Sequence, residues 1–354
     1  MSVSIADIAF HDLIVHGVMA DLTQLASSTR DSVGRYFSVV SAIPSGVLVA
    51  WLVLLVGSGA WSGPPDPQAA LRVFVDVGVA GGIGLVLAAL FLGVVMHPMQ
   101  YAFVQFLEGY WGDGLVGRRF RTLRSGAHFR RIRALRGRSG ELTTQINLKR
   151  VELAAASAPR KRAIADEIAR LRSDRGELER LTLDYPMEPE AFMPTRLGNV
   201  LRHYEWAVGR GYGIEPVWVT PYVMSVAAAT DVEYLDDQRS QLDLAARMTI
   251  VSFMATALTV LFLARHGLWL LIAIVPYVSG YVSYRGSVVA AAEYGRALGV
   301  VITLNRFALY ERLQLMRPAD VAAERVQNED LMYFLRHGET DGLNIVYRIP
   351  PPPA

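Results

Sequence analysis

Five carboxylates crowd one short stretch, at Asp231, Glu233, Asp236, Asp237 and Asp243. Oxygen clusters of this kind can hold a hard cation such as calcium, which takes about six to eight oxygen ligands. The spacing is not that of an EF-hand loop. Two readings stand: a metal set of Asp231, Glu233, Asp236 and Asp237, or salt bridges to a basic segment elsewhere. Such a segment exists, since residues Gly114 to Gly140 hold nine Arg and no acid. Arg118, Arg119, Arg121, Arg124, Arg130, Arg131 and Arg133 form a candidate lipid-binding set, because each basic residue near an anionic leaflet gains about 1 kcal/mol. Nucleic acid is disfavoured, because Phe120 and Phe129 are the stretch's only aromatic stacking platforms.

A second constellation is Pro194-Thr195-Arg196-Leu197-Gly198-Asn199, followed by Arg202. Arg196 can grip a carboxylate bidentately, Gly198 permits close approach of backbone, and Asn199 can satisfy backbone groups. Arg196, Asn199 and Arg202 are therefore either parts of a structural corner or a ligand or partner site. Thr195 is the expected N-cap of a helix over Arg196 to Ala207. His203 and Glu205 make an HxE pair, but no Cys pair follows, so the zinc deaminase pattern fails. The chain has no cysteine at all, which excludes disulfides, thiolate metal sites and Cys nucleophiles. Leu335-Arg336-His337-Gly338-Glu339-Thr340 matches the signature of histidine phosphatases, in which the His is phosphorylated and the Arg binds phosphate. That fold needs the motif after a first strand and a long α/β domain behind it, and neither is present. No cofactor is implied, and the expectation is a non-enzymatic protein.

The elements that must position these residues are dominated by four apolar runs, Tyr36 to Trp61, Val77 to Met96, Met248 to Ala264 and Gly267 to Tyr284. None contains Asp, Glu, Lys, Arg or His. A bilayer core needs about 20 apolar residues as helix, and a helix satisfies its own backbone polar groups in lipid. With 52% hydrophobic and 19% charged residues, the chain is too apolar for a purely soluble protein. The expected fold is an all-α membrane protein, with two transmembrane helical hairpins (four spans) and a mainly helical cytoplasmic domain inserted between them. The expected segments are 1–35, amphipathic over Ser4 to Leu25; 36–96, the first hairpin; 97–246, the cytoplasmic domain; 247–286, the second hairpin; and 287–354, C-terminal helices with a Pro-rich tail. His97 to Ala246 carries 22 Arg and Lys, so the positive-inside rule places that domain and both termini in the cytoplasm, at the plasma (inner) membrane.

Within the spans, Gly78 and Gly82 form a GxxxG pair suited to helix packing within or between subunits. Ser252, Thr256 and Thr259 share one face of the third run, and Ser279 and Ser283 one face of the fourth. These hydroxyls are pore-lining candidates, or they bond their own backbone and glue helices together. The absence of ionisable groups from the runs argues against a proton-coupled carrier. Pro276 is a candidate kink. Between the hairpins, Glu141 to Leu183 reads as two helices broken at Pro159, the second with near coiled-coil spacing. Strand, if present, is confined to Gly213 to Val223, and helix should continue from the fourth span through Tyr310 and Leu315.

The stretch Pro194-Thr195-Arg196-Leu197-Gly198-Asn199-Val200-Leu201-Arg202, with Glu205, Tyr212-Gly213, Pro221, Tyr294-Gly295, Phe307 and Tyr310, resembles a family of uncharacterised actinobacterial four-span membrane proteins. The resemblance covers Pro186 to Met316; it implies a four-span layout and no activity. The layout, with acids just before the third span, is also similar to bestrophin-type chloride channels, without a bestrophin motif. Two functions remain open at this point. One is a homo-oligomeric ion channel or pore gated by the cytoplasmic domain. The other is a membrane-anchored scaffold or sensor acting through lipid or a cytoplasmic protein partner.

Overall fold

The computed structural model describes residues 37–338 apart from Asp113, together with 343 and 345–347. The amphipathic segment expected over Ser4 to Leu25 lies outside the described residues. Among those described, the chain is all helical, with no strand beyond an isolated antiparallel bridge between Leu315 and Tyr347. A π-helical stretch, Phe37–Ala42, leads into α1 (Ile43–Gly57), whose Pro44 sits in the first turn. Asp66 caps α2 (Pro67–Asp76) by accepting from the Gln68 amide at 2.8 Å. Then come α3 (Gly78–Met96), a 3₁₀ turn at His97–Met99 and α4 (Gln100–Glu108). A long antiparallel-connected pair follows, α5 (Leu115–Ala155) and α6 (Ala158–Thr182). After it lie α7 (Arg196–Ala207), α8 (Pro216–Val226), α9 (Ala229–Leu263), a 3₁₀ stretch at Gly267–Ala273, α10 (Ile274–Arg312) and α11 (Val321–His337).

Prolines account for several differences from the sequence reading. Pro159 does not break a helix; it stands in the first turn of α6, and the break falls just before it at Ala156–Ser157. The preceding helix runs unbroken for 41 residues from Leu115, about 60 Å at 1.5 Å per residue. Pro276 stands two residues after the 3₁₀ stretch Gly267–Ala273 gives way to α10, at the point where the helix changes type. Gly213 to Val223 holds no strand, because Pro216 starts α8 there. The helix after the fourth run ends at Arg312, and Leu315 lies beyond it.

Four helical stretches are long and apolar enough to cross a membrane: Val40–Gly57, Gly78–Glu108, Ala229–Leu263 and Gly267–Arg312. The chain divides into two compact units, whose boundaries fall inside α4, α9 and α10. The first comprises the described residues up to Phe103 with Asp243–Arg285. Its core brings α1, α3 and α9 together through Leu48, Met96, Val251 and Ala255. Trp51 packs on this cluster and on Leu55 and Leu263, and its indole N–H donates to Thr259 Oγ1 at 2.9 Å. Gly93 lets α3 approach the π-helical stretch before α1, since a Cβ there would lie 3.3 Å from the Ser41 carbonyl. Where α9 turns apolar, Arg247 is wholly buried. Its Nε donates to Gln100 Oε1 at 2.8 Å, and Gln100 Nε2 donates to the carbonyl and to Oδ1 of Asp243.

The second unit comprises Val104–Leu242 and the described residues from Gly286. Its largest core joins α8, α9, α10 and α11 through residues such as Val219, Leu235, Val301, Ile302 and Leu331. A polar network is buried in this core. Arg306 Nε donates to Glu324 Oε1 at 2.8 Å, and the Tyr310 hydroxyl reaches Glu324 Oε1 at 3.1 Å and Asn328 Oδ1 at 2.9 Å. Asn328 Nδ2 donates to the Tyr212 carbonyl at 2.7 Å, and the Arg306 guanidinium lies 4.2 Å over the Tyr212 ring. The α5–α6 pair has its own core of Ile146, Ile164 and Ile168. Lys149 bridges the pair by reaching Glu152 at 3.2 Å on its own helix and Glu167 at 2.8 Å on the other.

Stripping one partner from a buried ion pair leaves the other charge uncompensated. Glu324→Ala is therefore expected to lower the unfolding free energy by about 3 kcal/mol, whereas Arg306→Met with Glu324→Leu recovers most of that loss. Denaturant unfolding followed by circular dichroism on detergent-purified protein checks both; a Glu324→Ala variant as stable as the parent would remove the network from the account of this core.

Candidate functional site

The Pro194–Arg202 stretch forms a corner between the end of α4 and the start of α7. Gly109 takes φ +108°, and a Cβ there would lie 2.2 Å from Pro194 Cγ, so only glycine fits. The Thr195 hydroxyl donates to the Glu108 carbonyl at 2.8 Å and accepts the Gly198 amide at 3.0 Å, which makes it the N-cap of α7. Gly198 is pressed on the same carbonyl, since its Cβ would lie 2.2 Å from Glu108 O. Asn199 is fully buried. Its Nδ2 donates to the carbonyls of Met193 (2.7 Å) and Thr195 (2.6 Å), and its Oδ1 accepts the Met193 amide at 3.0 Å. Each of these groups is used on the chain's own backbone.

Behind the corner, Tyr185 gathers side chains from α5 and α7. The Arg196 guanidinium lies 4.2 Å over its ring and 3.7 Å from Asp184 Oδ2. Arg136 Nη2 donates to the Tyr185 carbonyl at 3.0 Å, and His203 Nδ1 donates to the same oxygen at 3.1 Å, which fixes the His203 tautomer. His128 Nδ1 shares a hydrogen bond with the Tyr185 hydroxyl at 3.2 Å, and Phe192 stacks on the ring at 6.0 Å. The Tyr204 hydroxyl donates to Asp184 Oδ1 at 3.3 Å and accepts from Arg296 Nη1 at 3.1 Å. Arg296 is also paired with Glu293. Gly295 is obligatory beside this contact, because a Cβ there would lie 2.1 Å from Tyr204 Cγ. Arg202 donates to the Tyr110 hydroxyl at 2.9 Å and pairs with Glu205 at 3.2 Å. Arg196, Asn199 and Arg202, the candidate ligand residues, are thus brought together and engaged internally.

Burial holds both histidines of this region below the ordinary imidazole range. For His128, Arg124, Arg196 and Arg131 add to the effect; for His203, Asp184 works against it. Burial pushes the Glu205 carboxyl up, opposed by Arg202, and pushes the Tyr204 phenol up, with Asp184 adding to the shift.

Of the basic set on α5, Arg118, Arg119, Arg124, Arg130, Arg131 and Arg133 are exposed. Arg121 is half-buried beside a shallow groove of about 360 Å³ that it lines with Thr122, Ser125, Phe129 and Glu190. The other face of α5 packs Phe129 and Ile132 against Tyr185 and Phe192. The acids near the third span lie on one helix, α9, and Asp231 Oδ2 accepts from Asn305 Nδ2 at 2.8 Å. Among the described residues no group of three or more His, Asp or Glu is placed to hold a metal ion. Asp231 and Glu233 point to nearly opposite sides of α9, whereas Glu233, Asp236 and Asp237, at i, i+3 and i+4, share one face. The set Asp231, Glu233, Asp236 and Asp237 thus lies along one helix without being gathered around one point.

The span hydroxyls divide. Ser252 and Thr259 are buried; Ser252 meets Ser279 Oγ at 3.2 Å, and Thr259 donates to the Ala255 carbonyl while accepting from Trp51. Thr256 is half-buried and donates to the Ser252 carbonyl at 2.8 Å. Ser279 is exposed and Ser283 half-buried. Among the described residues outside the local helix, a Cβ at Gly78 or Gly82 would meet no atom within 4 Å. Leu335 to His337 ends α11, and Gly338 is its left-handed C-cap at φ +71°. Arg336 pairs there with Glu215, and His337 bonds the Tyr333 carbonyl. Glu339 and Thr340 lie outside the described residues.

Sequence reasoning did not single out Tyr185, Asp184, Arg136 or the Arg306–Glu324 pair. Gly295 and Tyr310 stood in the pattern of resemblance, and the packing at each supplies a physical reason for the residue. Comparison with protein-family models, curated proteins and solved structures finds no match for this chain. The four long apolar helices suggest a multi-pass membrane protein.

The two histidines set a pH dependence. Above pH about 6.5 both rings are neutral whether the chain is folded or not. Below it the unfolded chain binds protons that the folded chain resists, so stability falls as pH falls. Glu205 acts with the opposite sign, favouring the fold in acid and losing that contribution as pH rises above the ordinary carboxylate range. The two histidines are therefore expected to pull the melting temperature down as pH is taken from about 7 to about 5.5, against the opposing carboxyl contribution. His128→Gln with His203→Gln should flatten that drop in a thermal melt of the full chain; an unaltered drop assigns it elsewhere.

Proposed function

We propose that this chain is a non-enzymatic, membrane-anchored scaffold or sensor. Its spans serve as the anchor, and its second unit, on the cytoplasmic side, carries the working surfaces. The observation that carries this reading is the fate of the span hydroxyls. Ser252, Thr256 and Thr259 are spent on Ser279, on backbone carbonyls one turn back and on Trp51. Meanwhile the outward faces of the barely buried helices carry Ile83, Leu87, Phe91, Val275, Val278 and Val282. Polar groups that already bond one another within the chain are poor substitutes for an ion's water, and apolar outward faces suit lipid. The excess of Arg and Lys between the second and third spans supports the cytoplasmic placement. The long α5–α6 pair and the exposed Arg side chains of α5 supply surfaces for a protein partner or for lipid.

A homo-oligomeric pore is the second reading, favoured by the exposed Ser279 and by Gly78 and Gly82, which are open to close approach by another helix. Planar-bilayer recording of the purified full chain separates the two. The anchor reading expects no unitary current above that of protein-free bilayers. Ion-selective unitary currents, altered in amplitude by Ser279→Val, would overturn it.

A further inference from the structure

The first three turns of α5 carry large apolar side chains in the open. Leu115, Val116, Phe120 and Leu123 are 85%, 81%, 57% and 61% exposed. At 3.6 residues per turn, Val116, Phe120 and Leu123 fall within about 60° of one another around the helix. Exposed Arg119 and Arg124 border that stripe on its two sides. Single exposed apolar residues need no explanation, but a contiguous set does. The face is fixed from behind. A Cβ at Gly117 would lie 2.3 Å from the Trp111 carbonyl and 3.0 Å from that of Gly112, so the chain arriving from α4 is pressed against this turn. The Trp111 ring also meets Phe120 edge-on at 5.9 Å. The opposite face is occupied through Phe129 and Ile132.

Two observations say what covers the stripe. Gly114 to Gly140 holds nine Arg and no acid, a charge pattern complementary to an anionic surface. Residues 109–114 alone separate α5 from the apolar stretch that ends at Glu108, and a chain of that length reaches at most about 25 Å. We infer that the N-terminal turns of α5 form an amphipathic wedge in the interface of an anionic membrane. Val116, Phe120 and Leu123 enter the acyl region, while Arg119 and Arg124 lay their stems along it and hold lipid phosphates. The wedge rests on the anchored-scaffold reading and gives that scaffold a lipid-sensitive element.

The chain has no cysteine, so single cysteines take a nitroxide label without background. Val116→Cys, Phe120→Cys and Leu123→Cys are compared with Leu148→Cys, a site 66% exposed farther along the same helix. The full chain is placed in nanodiscs of phosphatidylcholine alone or mixed with phosphatidylglycerol. In the anionic discs the three labels lose access to a water-soluble nickel chelate and gain access to oxygen, and the label at 148 does neither. Arg119→Gln with Arg124→Gln lowers the ratio of inserted to free states about 25-fold, roughly fivefold for each Arg. Nickel access at 116, 120 and 123 equal to that at 148 in anionic discs overturns the wedge. Loss of access to both probes with spin–spin broadening also overturns it, since a second copy would then cover the patch. Channel recording reads a different property, so failure of the wedge and failure of the anchor reading are distinguishable.

Discussion

The guanidinium of Arg247 lies wholly buried at the point where α9 becomes apolar. Burying such a charge is costly unless it is bonded, and Gln100 is the residue that ties Arg247 to the backbone and carboxylate of Asp243. This knot sets the start of the membrane-length part of α9. From Met248 onward every polar side chain on that helix is a hydroxyl, and each described bond of those hydroxyls runs to its own helix or to a close neighbour. The apolar cores on Leu48 and Leu55 then follow along α1 and α9. The knot is thus the boundary condition on which the arrangement of the first unit depends.

The same rule, that buried polar groups must find partners, organises the second unit with different residues. Asn199 absorbs three backbone groups, Glu324 collects Arg306 and Tyr310, and Tyr185 accepts two donors on its carbonyl. Glycines at 109, 198 and 295 mark the places where backbone or ring comes too near for any side chain. The glycines at 109 and 198 thus have a sufficient cause in the packing of the corner itself. Surfaces open to a ligand lie outside it, chiefly on α5.

The apolar helices were legible from the sequence because the constraint that shapes them is local: a run of uncharged residues near bilayer length needs no tertiary partner to be recognised. The Thr195 cap was legible for the same reason. The limits of α9 were not, because it carries its helix through the charged stretch from Ala229, where composition changes and hydrogen bonding does not. Pro159 signals a real break, which falls just before it at Ala156–Ser157, while the proline itself belongs to the first turn of α6. The Tyr185 cluster had no local signal. Arg136, Asp184, Arg196, His203 and Arg296 are ordinary surface types, and only the folding together of separate segments makes them a set. The acids from Asp231 to Asp237 were crowded in sequence, and the helix spreads them along and around its length.

Lys149, which joins α5 to α6, has one lysine counterpart in the whole chain, Lys161. The two flank the turn at Ala156–Ser157. Every side-chain primary amine of this protein therefore sits at one end of one helical pair. Lysine-specific proteases would address that tip alone, and amine-reactive dyes and crosslinkers would address it together with the α-amino group, leaving the long apolar helices and the Arg-rich helix face untouched, so the tip can be tagged, tethered or cut without engineering a handle.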